Sequence, residues 1–365
     1  MSPDLFMLLS FALCLMIGMP VAYSLGIGGA VGIIFGLSPD MLATLGTNTY
    51  NSVAKYPLIA IPLFILTGIV FERVGVAASL VTFAQSIIGR RPGGLTLVVV
   101  MVCLIMAGMS GSGPADAAAV AMVMLPSMTK AGYPRAFSAT MIAASSSTAI
   151  LIPPSIALIL YSVMLPGMDL RALFAAGLFP GILAGISILI PCYFIARIRG
   201  WEKSETDAIE RPPFRQSFIK ALPALFAPVI ILGGLRSGLF TPTEAAAVAV
   251  AYGLFIGVVV YRQLTWRSLF DMFNEAAKLS GIILLIIALA GIFAWAGTTL
   301  GTFTKLAEAM LSISDNAWVL LILIMILVLF AGMLLDAISI YLILTPVLIP
   351  LINHFEWNPS GLVFY

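Results

Sequence analysis

The chain has 365 residues, of which 61% are hydrophobic and only 9% are charged, and its mean hydropathy is +1.12. Soluble proteins contain about 45–50% apolar and about 25% charged residues, so this composition excludes a soluble globular domain. The net charge of +2 gives no indication of an acidic partner. We therefore expect an all-α polytopic membrane protein, because a helix that crosses a bilayer needs about 20 apolar residues and the chain has many such stretches.

The first apolar stretch, residues 5–36, is interrupted at Met19-Pro20 and predicts one kinked span or two short helices. Asp4 precedes this stretch and no basic leader does, which favours a first membrane helix over a cleaved signal peptide. Residues 58–70 predict the next span. Residues 74–88 are too short to cross the membrane and predict an arm that lies along its surface.

Two polar interruptions follow in apolar sequence. Residues 95–125 are too long for one ordinary span, at roughly 46 Å as a straight helix, and small residues and proline lie at their middle. They predict a re-entrant helical hairpin, 95–128, with its tip at residues 110–113. Residues 136–165 contain the serine run 145–147 and Pro153-Pro154, and they predict a broken helix. Backbone that leaves the helix at membrane depth must be buried or line a wet cavity, and such breaks indicate transporter binding sites.

The second half of the chain repeats this order. Four further spans are predicted at 172–196, 218–235, 245–261 and 282–298. A short arm follows at 303–313, and the last apolar run, 317–352, predicts a second hairpin.

The basic residues support the first hairpin. If the basic segment 197–220 is cytoplasmic, 14 of the 18 Lys and Arg residues fall on that side, and only Lys55, Arg171, Arg236 and Lys305 fall on the other. This division requires that residues 95–125 enter and leave the membrane by the same face.

An internal repeat, together with the extra span 172–196 that precedes its second half, indicates an inverted architecture. Asp116-Ala117 and Pro126 recur as Asp336-Ala337 and Pro346, at an offset of 220 residues in both cases. We expect a first repeat at 1–168, a connecting span and cytoplasmic loop at 169–216, and an inverted second repeat at 217–365. The second repeat ends after its hairpin, so we expect a longer parent chain with a C-terminal broken helix. Inverted repeats place a site at the bilayer midplane, between discontinuous helices.

The interruptions carry the chemistry. Two prolines leave upstream carbonyls without amide partners, and carbonyl and hydroxyl oxygens are the ligands a desolvated Na⁺ needs, while helix N-termini suit a carboxylate substrate. Helix packing by small residues and a simple proline kink are the alternatives. Asp116 and Asp336 each lie at the start of a returning helix, where compensation of the helix dipole is the preferred role over proton transfer.

Other motifs predict structure rather than chemistry. Thr241-Pro242-Thr243-Glu244 matches a capping box, and His354 has no acidic or cysteine partner nearby and predicts a surface residue. No nucleotide-binding, haem or metal-ligand motif appears, so we expect no organic cofactor and no direct use of ATP.

These motifs resemble a known family. Pro57–Phe64, Ser110–Asp116, Ser145–Ser155 and Phe240–Ala247 are similar to the large permease (M) subunit of tripartite ATP-independent periplasmic (TRAP) transporters, from end to end of the chain. The resemblance implies an elevator-type, ion-transporter-like fold in the bacterial inner membrane. It also implies Na⁺ as coupling ion, an organic acid anion such as a C4-dicarboxylate or sialic acid as substrate, and two partners: a small membrane subunit and a periplasmic substrate-binding protein.

The resemblance also implies site residues. A first Na⁺ site would use Ala107, Ser110, Ala149, Ile152 and Pro153, and part of a second would use Ala331, Gly332 and Leu335, mainly through backbone carbonyls. The residues implied for the substrate are Ser110, Gly111, Ser112, Ser145, Ser146, Ser147 and Asp336.

Two other classes of protein remain as alternatives. An intramembrane serine protease could use Ser110 or Ser112 as nucleophile, but it needs a His or Lys base at membrane depth. A channel-like structural subunit would use its hairpins for packing only.

Overall fold

The computed structural model describes residues 2–89, 91–165, 167–202, 212–333 and 335–358, and these residues are helical with no β-strand. The chain forms two compact units. Unit 1 comprises Met1–Leu58, Leu160–Met168 and Lys278–Tyr365, and unit 2 comprises Ile59–Ile159 and Asp169–Ala277. The all-α class expected from composition is confirmed. The connecting segment 169–216 lies partly outside the described residues.

The helices follow in chain order. They are α1 Pro3–Met16, α2 Val21–Gly36, α3 Thr44–Val53, α4 Ala60–Arg73, α5 Val76–Ile88, α6 Gly94–Ser110, α7 Gly113–Lys130, α8 Arg135–Ser146, α9 Ile156–Met164, α10 Leu170–Arg199, α11 Phe214–Arg236, α12 Pro242–Phe255, α13 Trp266–Thr299, α14 Thr302–Leu311, α15 Ala317–Gly332 and α16 Ala337–His354. Helices α9 and α13 contribute residues to both units.

Six helical segments of the described chain are long and apolar enough to cross a membrane: Tyr56–Arg73, Leu170–Arg199, Phe214–Arg236, Pro242–Val260, Trp266–Thr299 and Ala337–His354. The second hairpin contributes the last of these. Because several of them bury less than two-fifths of their most apolar window inside the protein, their remaining apolar surface suits lipid rather than water.

In unit 1, the first apolar stretch forms two short helices rather than one kinked span. α2 folds back on α1, since the rings of Phe6 and Phe35 stack at 5.1 Å and Gly28 lies against the carbonyl of Met7. Pro20 precedes the first residue of α2, where its fixed φ and missing N–H are tolerated.

Unit 2 contains the first hairpin, α6 and α7, within two residues of the predicted range 95–128 at each end. α5 packs against α6, α7 and α11, and its buried side chains include Leu80, Phe83 and Ala84. α12 begins at the predicted capping box. The amide of Thr241 donates to the Glu244 carboxylate at 2.7 Å, and the amide of Glu244 donates to the Thr241 hydroxyl at 3.3 Å.

The second hairpin, α15 and α16, lies within unit 1 and agrees with the predicted range 317–352 to within two residues. Asn316 caps α15, because its side chain accepts the amide of Trp318 at 2.9 Å. His354 is the last residue of α16. It is exposed, as expected.

Candidate functional site

The tip of the first hairpin is buried. α6 ends at Ser110, Gly111 adopts φ +62°, and α7 begins after the N-cap residue Ser112. The hydroxyl of Ser110 accepts the amide of Ser112 at 3.2 Å, and the carbonyl of Ser112 accepts the amide of Asp116 at 3.1 Å. A left-handed φ favours glycine, so the sequence Ser-Gly-Ser-Gly closes the hairpin in two residues.

The broken helix has a non-helical segment at residues 151–155. α8 ends at Ser146, one 3-10 turn spans Ser147–Ile150, and α9 starts at Ile156. Two hydroxyls bond locally: Thr148 Oγ1 donates to the carbonyl of Ser145 at 2.7 Å, and Ser155 Oγ donates to that of Ile150 at 2.6 Å.

Carbonyl groups at this break lack partners. Within the described residues, the buried Ile152, Pro153 and Pro154 accept no hydrogen bond at their carbonyl oxygens. The prolines explain why the helix stops here, since neither supplies an N–H to continue it, and these three carbonyls lie in the non-helical segment that results. Buried carbonyls without donors are costly, and a cation is one group that satisfies them.

The hairpin tip contacts this break. Ala107, Ala149 and Ile152 form one buried cluster. A Cβ at Gly111 would overlap the carbonyl oxygen of Pro154, and a Cβ at Gly113 would lie 3.1 Å from the carbonyl oxygen of Ser146. The glycines therefore permit backbone-to-backbone approach, and the fold brings the residues of the predicted first Na⁺ site to one location.

α4 supports the tip from another side. A Cβ at Gly68 would lie 3.4 Å from both the Cβ and the carbonyl oxygen of Ser110, so α4 passes directly against the last residue of α6. The sequence did not single out Gly68, because an isolated glycine in an apolar helix is common.

The serines named for the substrate occupy different environments. Ser145 and Ser146 are buried, whereas Ser147 is exposed and donates to the carbonyl of Ala144 at 2.7 Å. Ser146 Oγ lies 3.4 Å from Cys103 Sγ, and Ser145 Oγ has no hydrogen-bond partner among the described residues. Ser145 is therefore a buried hydroxyl that remains available to a ligand.

Asp116 lies in the first turn of α7 and is completely buried. Neither carboxylate oxygen has a hydrogen-bond partner among the described residues. The groups that influence it are the Ser110 hydroxyl and the Glu72 carboxylate, and neither provides a positive charge. Burying an ionised carboxylate without a partner costs several kcal/mol, so Asp116 would be ionised here only with a partner in addition to the dipole of its own helix.

The second hairpin tip is open in comparison. Gly332 and Asp336 are exposed, and Ala331 and Leu335 are half-buried. Asp336 is the N-cap of α16: its carboxylate accepts the amide of Ile338 at 3.1 Å and also the amide and hydroxyl of Ser339. Compensation of the helix dipole, the role predicted for both aspartates from the sequence, therefore fits Asp336 but does not account for Asp116.

A residue that the sequence did not single out holds the base of the first hairpin. Glu202, which follows α10, accepts the amides of Gly94 and Leu95 at 2.8 Å each, and its own amide donates to the carbonyl of Ala131 at 3.1 Å. Glu202 thus joins the start of α6 to the end of α7. Burial raises the pKa of its carboxyl, although these amide hydrogen bonds act in the opposite direction.

An aromatic cluster covers this contact. The ring of Trp201 lies 5.0 Å from that of Tyr133 and 4.8 Å from that of Phe137. The one available signal in the sequence was a Trp-Glu pair directly after the glycine that ends a 30-residue helix, within a segment otherwise taken as a charged loop.

Comparison with known proteins assigns the chain. Residues 8–365 match the family described as the tripartite ATP-independent periplasmic transporter, DctM component. The chain is 36% identical to the 2,3-diketo-L-gulonate TRAP transporter large permease of Escherichia coli over 94% of this chain and 80% of that one. It is 37% identical to the C4-dicarboxylate large permease of Pseudomonas aeruginosa over 93% and 78%.

Some relatives are longer. The isethionate TRAP transporter permease of Oleidesulfovibrio alaskensis is 35% identical over 96% of this chain, which spans 54% of that protein. Among solved structures, the YdaH transporter of Alcanivorax borkumensis shares the fold, with a TM-score of 0.63 at 16% identity, covering 100% of this chain and 86% of that one. These relatives are named as permeases or transporters rather than enzymes. The chain belongs to the DctM family of TRAP transporter permeases and is a multi-pass protein of the inner membrane.

Proposed function

We propose that this chain is the permease subunit of a binding-protein-dependent secondary transporter that imports an organic acid anion by Na⁺ symport through an elevator mechanism. The observation that carries the proposal is the contact between the buried hairpin tip and the broken helix, whose carbonyls at residues 152–154 lack donors among the described residues. Na⁺ is a hard cation that binds such oxygens.

The first Na⁺ would bind at Ala107 and Ser110 of the tip and at Ala149, Ile152 and Pro153 of the break. The burial of Ala107, Ala149 and Ile152 in one cluster supports this set, since a dehydrated ion needs a closed shell of protein oxygens. Asp116 gives further support. It lies within one helical turn of the tip without a partner, and a nearby cation would offset its charge.

A second Na⁺ would bind around Ala331, Gly332 and Leu335. Support for this site is the repeat in the sequence and the position of Ala331 and Gly332 at the end of α15, close before Asp336 in the chain. The residues proposed for the anion are Ser110–Ser112, Ser145–Ser147 and Asp336. Of these, Ser145 has a buried free hydroxyl that could donate to a carboxylate.

The substrate class follows from the relatives. The names of similar permeases include C4-dicarboxylate, sialic acid and 2,3-diketo-L-gulonate, all of which are organic acids. We propose that this chain takes an acid of this kind. Its partners would be a small membrane subunit and a periplasmic binding protein that delivers the acid.

Uptake into proteoliposomes tests the proposal. The liposomes contain both membrane subunits, and the binding protein encoded alongside them is added outside with the radiolabelled acid that it retains. We expect accumulation with an inward Na⁺ gradient and little without one. Equal uptake under both conditions contradicts Na⁺ coupling, and downhill flux without the binding protein supports the channel-like alternative instead.

A further inference from the structure

Two arginines line a cavity of about 150 Å³ in unit 2. Arg171 lies in the first turn of α10, and Arg236 is the last residue of α11. The remaining lining is Pro153 and apolar side chains of the same two helices, among them Phe174, Leu178 and Leu232. The lining of the cavity therefore combines two arginines with an apolar wall.

Neither arginine has an acidic partner among the described residues. The one carboxylate adjacent in sequence, Asp169, accepts the backbone amide of Arg171 at 2.9 Å and caps α10. The Arg171 guanidinium lies against the turn between α11 and α12, where a Cβ at Gly238 would be 3.2 Å from Nη1. Two positive charges near one cavity repel each other, and an oxyanion between them would relieve this repulsion.

Local helix electrostatics explain only one of the two charges. Arg236 lies at a helix C-terminus, where a cation is favourable, but Arg171 lies at a helix N-terminus, where it is not. Both also belong to the four basic residues that the charge distribution assigns to the non-cytoplasmic side, where basic residues are disfavoured. Two of these four line the same cavity.

The position of the cavity points to its ligand. Arg171 and Arg236 are at the ends of a 30-residue and a 23-residue membrane-crossing helix, the depth at which lipid headgroups lie. Beyond the cavity, α10 exposes Phe179, Ile182 and Leu183 along its length. A free acid gains nothing from this apolar surface, whereas a lipid acyl chain packs on it.

We propose that this cavity binds the phosphate of an anionic phospholipid, held by the guanidinium groups of Arg171 and Arg236. Guanidinium groups suit this role because their planar donor sets match phosphate oxygens. Pro153 lines the same cavity, so the bound headgroup would lie beside the break of α8 and α9.

Native mass spectrometry of the purified membrane complex tests the proposal, with phosphatidylglycerol as the probe. We expect the Arg171→Gln/Arg236→Gln double variant to bind phosphatidylglycerol at least about tenfold more weakly than the wild type. Arg267→Gln is the matched control: it removes an exposed arginine from the first turn of α13, away from the cavity, and should bind as the wild type does.

Two further measurements test whether the ligand is a lipid or a free acid, and whether binding needs the planar guanidinium donors. Millimolar succinate should not displace the bound lipid, and displacement would overturn the proposal in favour of a small-acid site. The Arg171→Lys/Arg236→Lys variant keeps both charges but loses the planar donors, so its affinity should fall at least about threefold. This variant also serves if the glutamine variant does not elute as a single species. Unchanged affinity in either double variant overturns the proposal.

Discussion

The two hairpin tips carry the same Asp-Ala motif at an offset of 220 residues, yet they differ in structure. In the second hairpin Asp336 precedes α16 and caps it, exposed to solvent or ligand. In the first hairpin α7 starts three residues before Asp116, so the aspartate lies inside the helix, and its buried carboxyl group has no hydrogen-bond partner among the described residues. A shift in where the returning helix begins therefore changes the same residue from a cap into a buried carboxyl group without a partner among the described residues.

The shift follows from the residues at the tips. Ala107-Gly108-Met109 recurs as Ala331-Gly332-Met333, four residues closer to its aspartate. The first tip contains an additional Ser-Gly-Ser-Gly, which lets the chain turn tightly at Gly111 and start α7 early, with Pro114 in its first turn. The comparison shows that the first tip is built for close approach to another backbone.

The largest expected effect comes from filling the space at the first tip. Gly111→Ala adds a Cβ that overlaps the carbonyl oxygen of Pro154, in a conformation that alanine disfavours. We expect uptake to fall at least about tenfold, because moving the packed backbone to make room for the Cβ costs about 1–3 kcal/mol or more. Uptake in proteoliposomes measures the change.

Gly332→Ala is the matched control in the second tip. The added Cβ would meet only Ile340 Cδ1, at 3.8 Å, which is an ordinary contact, and alanine favours the helix. Gly332 would bind the second Na⁺ through its backbone carbonyl, which alanine keeps, so we expect uptake close to that of the wild type. Equal loss in both variants would show that the two tips do not differ in packing.

The two aspartates should respond in opposite directions when thermal stability is measured in Na⁺-free buffer. Asp116→Asn removes a buried carboxyl group that has no partner among the described residues, so the melting temperature should stay the same or rise. Asp336→Ala removes an N-cap and should lower stability by about 1 kcal/mol. A larger loss for Asp116→Asn than for Asp336→Ala would show that Asp116 makes stabilising contacts.

The bases of the hairpins also differ. Glu202 reaches the first hairpin from outside and contacts both of its helices, whereas Asn316 caps the second hairpin from its own chain segment. Glu202→Ala should cost about 1–2 kcal/mol and Asn316→Ala about 1 kcal/mol, as measured by thermal unfolding. If Glu202→Ala has no effect, the hydrogen bonds of Glu202 to the first hairpin do not contribute to stability.

A smaller effect concerns pH. Burial raises the pKa of Glu202 above that of an unfolded chain, so the folded state binds the proton more tightly. The contribution of Glu202 to stability is therefore fully present below the unfolded pKa and is lost as pH rises through the folded pKa. The stability of wild type relative to Glu202→Gln should increase as pH falls toward the usual range of glutamate. A constant difference between the two would contradict the assignment.

Much of this architecture could be predicted from the sequence because it depends on local patterns. Proline and glycine within apolar runs located the first hairpin to within two residues, and the capping box at Thr241 required only the order of four residues. Tertiary contacts could not be predicted in this way. The approach of Gly68 to Ser110 and the capping of Gly94 by Glu202 join residues that are distant in sequence and carry no local signal.

Asp116 shows the same limit. Its position in the first turn of a helix was visible, and dipole compensation was a reasonable interpretation. Burial by neighbouring helices raises the free-energy cost of ionising this carboxyl group. Burial depends on packing that a single sequence does not display.

The central claim, that the first tip and the broken helix hold Na⁺ through freed carbonyls, is tested most directly by the Na⁺ dependence of uptake in Pro153→Ala. Alanine at this position restores an N–H that can donate to the carbonyl of Ala149, four residues earlier. Pro346→Ala, which restores an N–H within α16, is the control. We predict that Pro153→Ala raises the Na⁺ concentration for half-maximal uptake at least about tenfold, the equivalent of one lost charge-assisted contact, whereas Pro346→Ala leaves it close to that of the wild type. An unchanged Na⁺ midpoint in Pro153→Ala, with uptake retained, would contradict the claim.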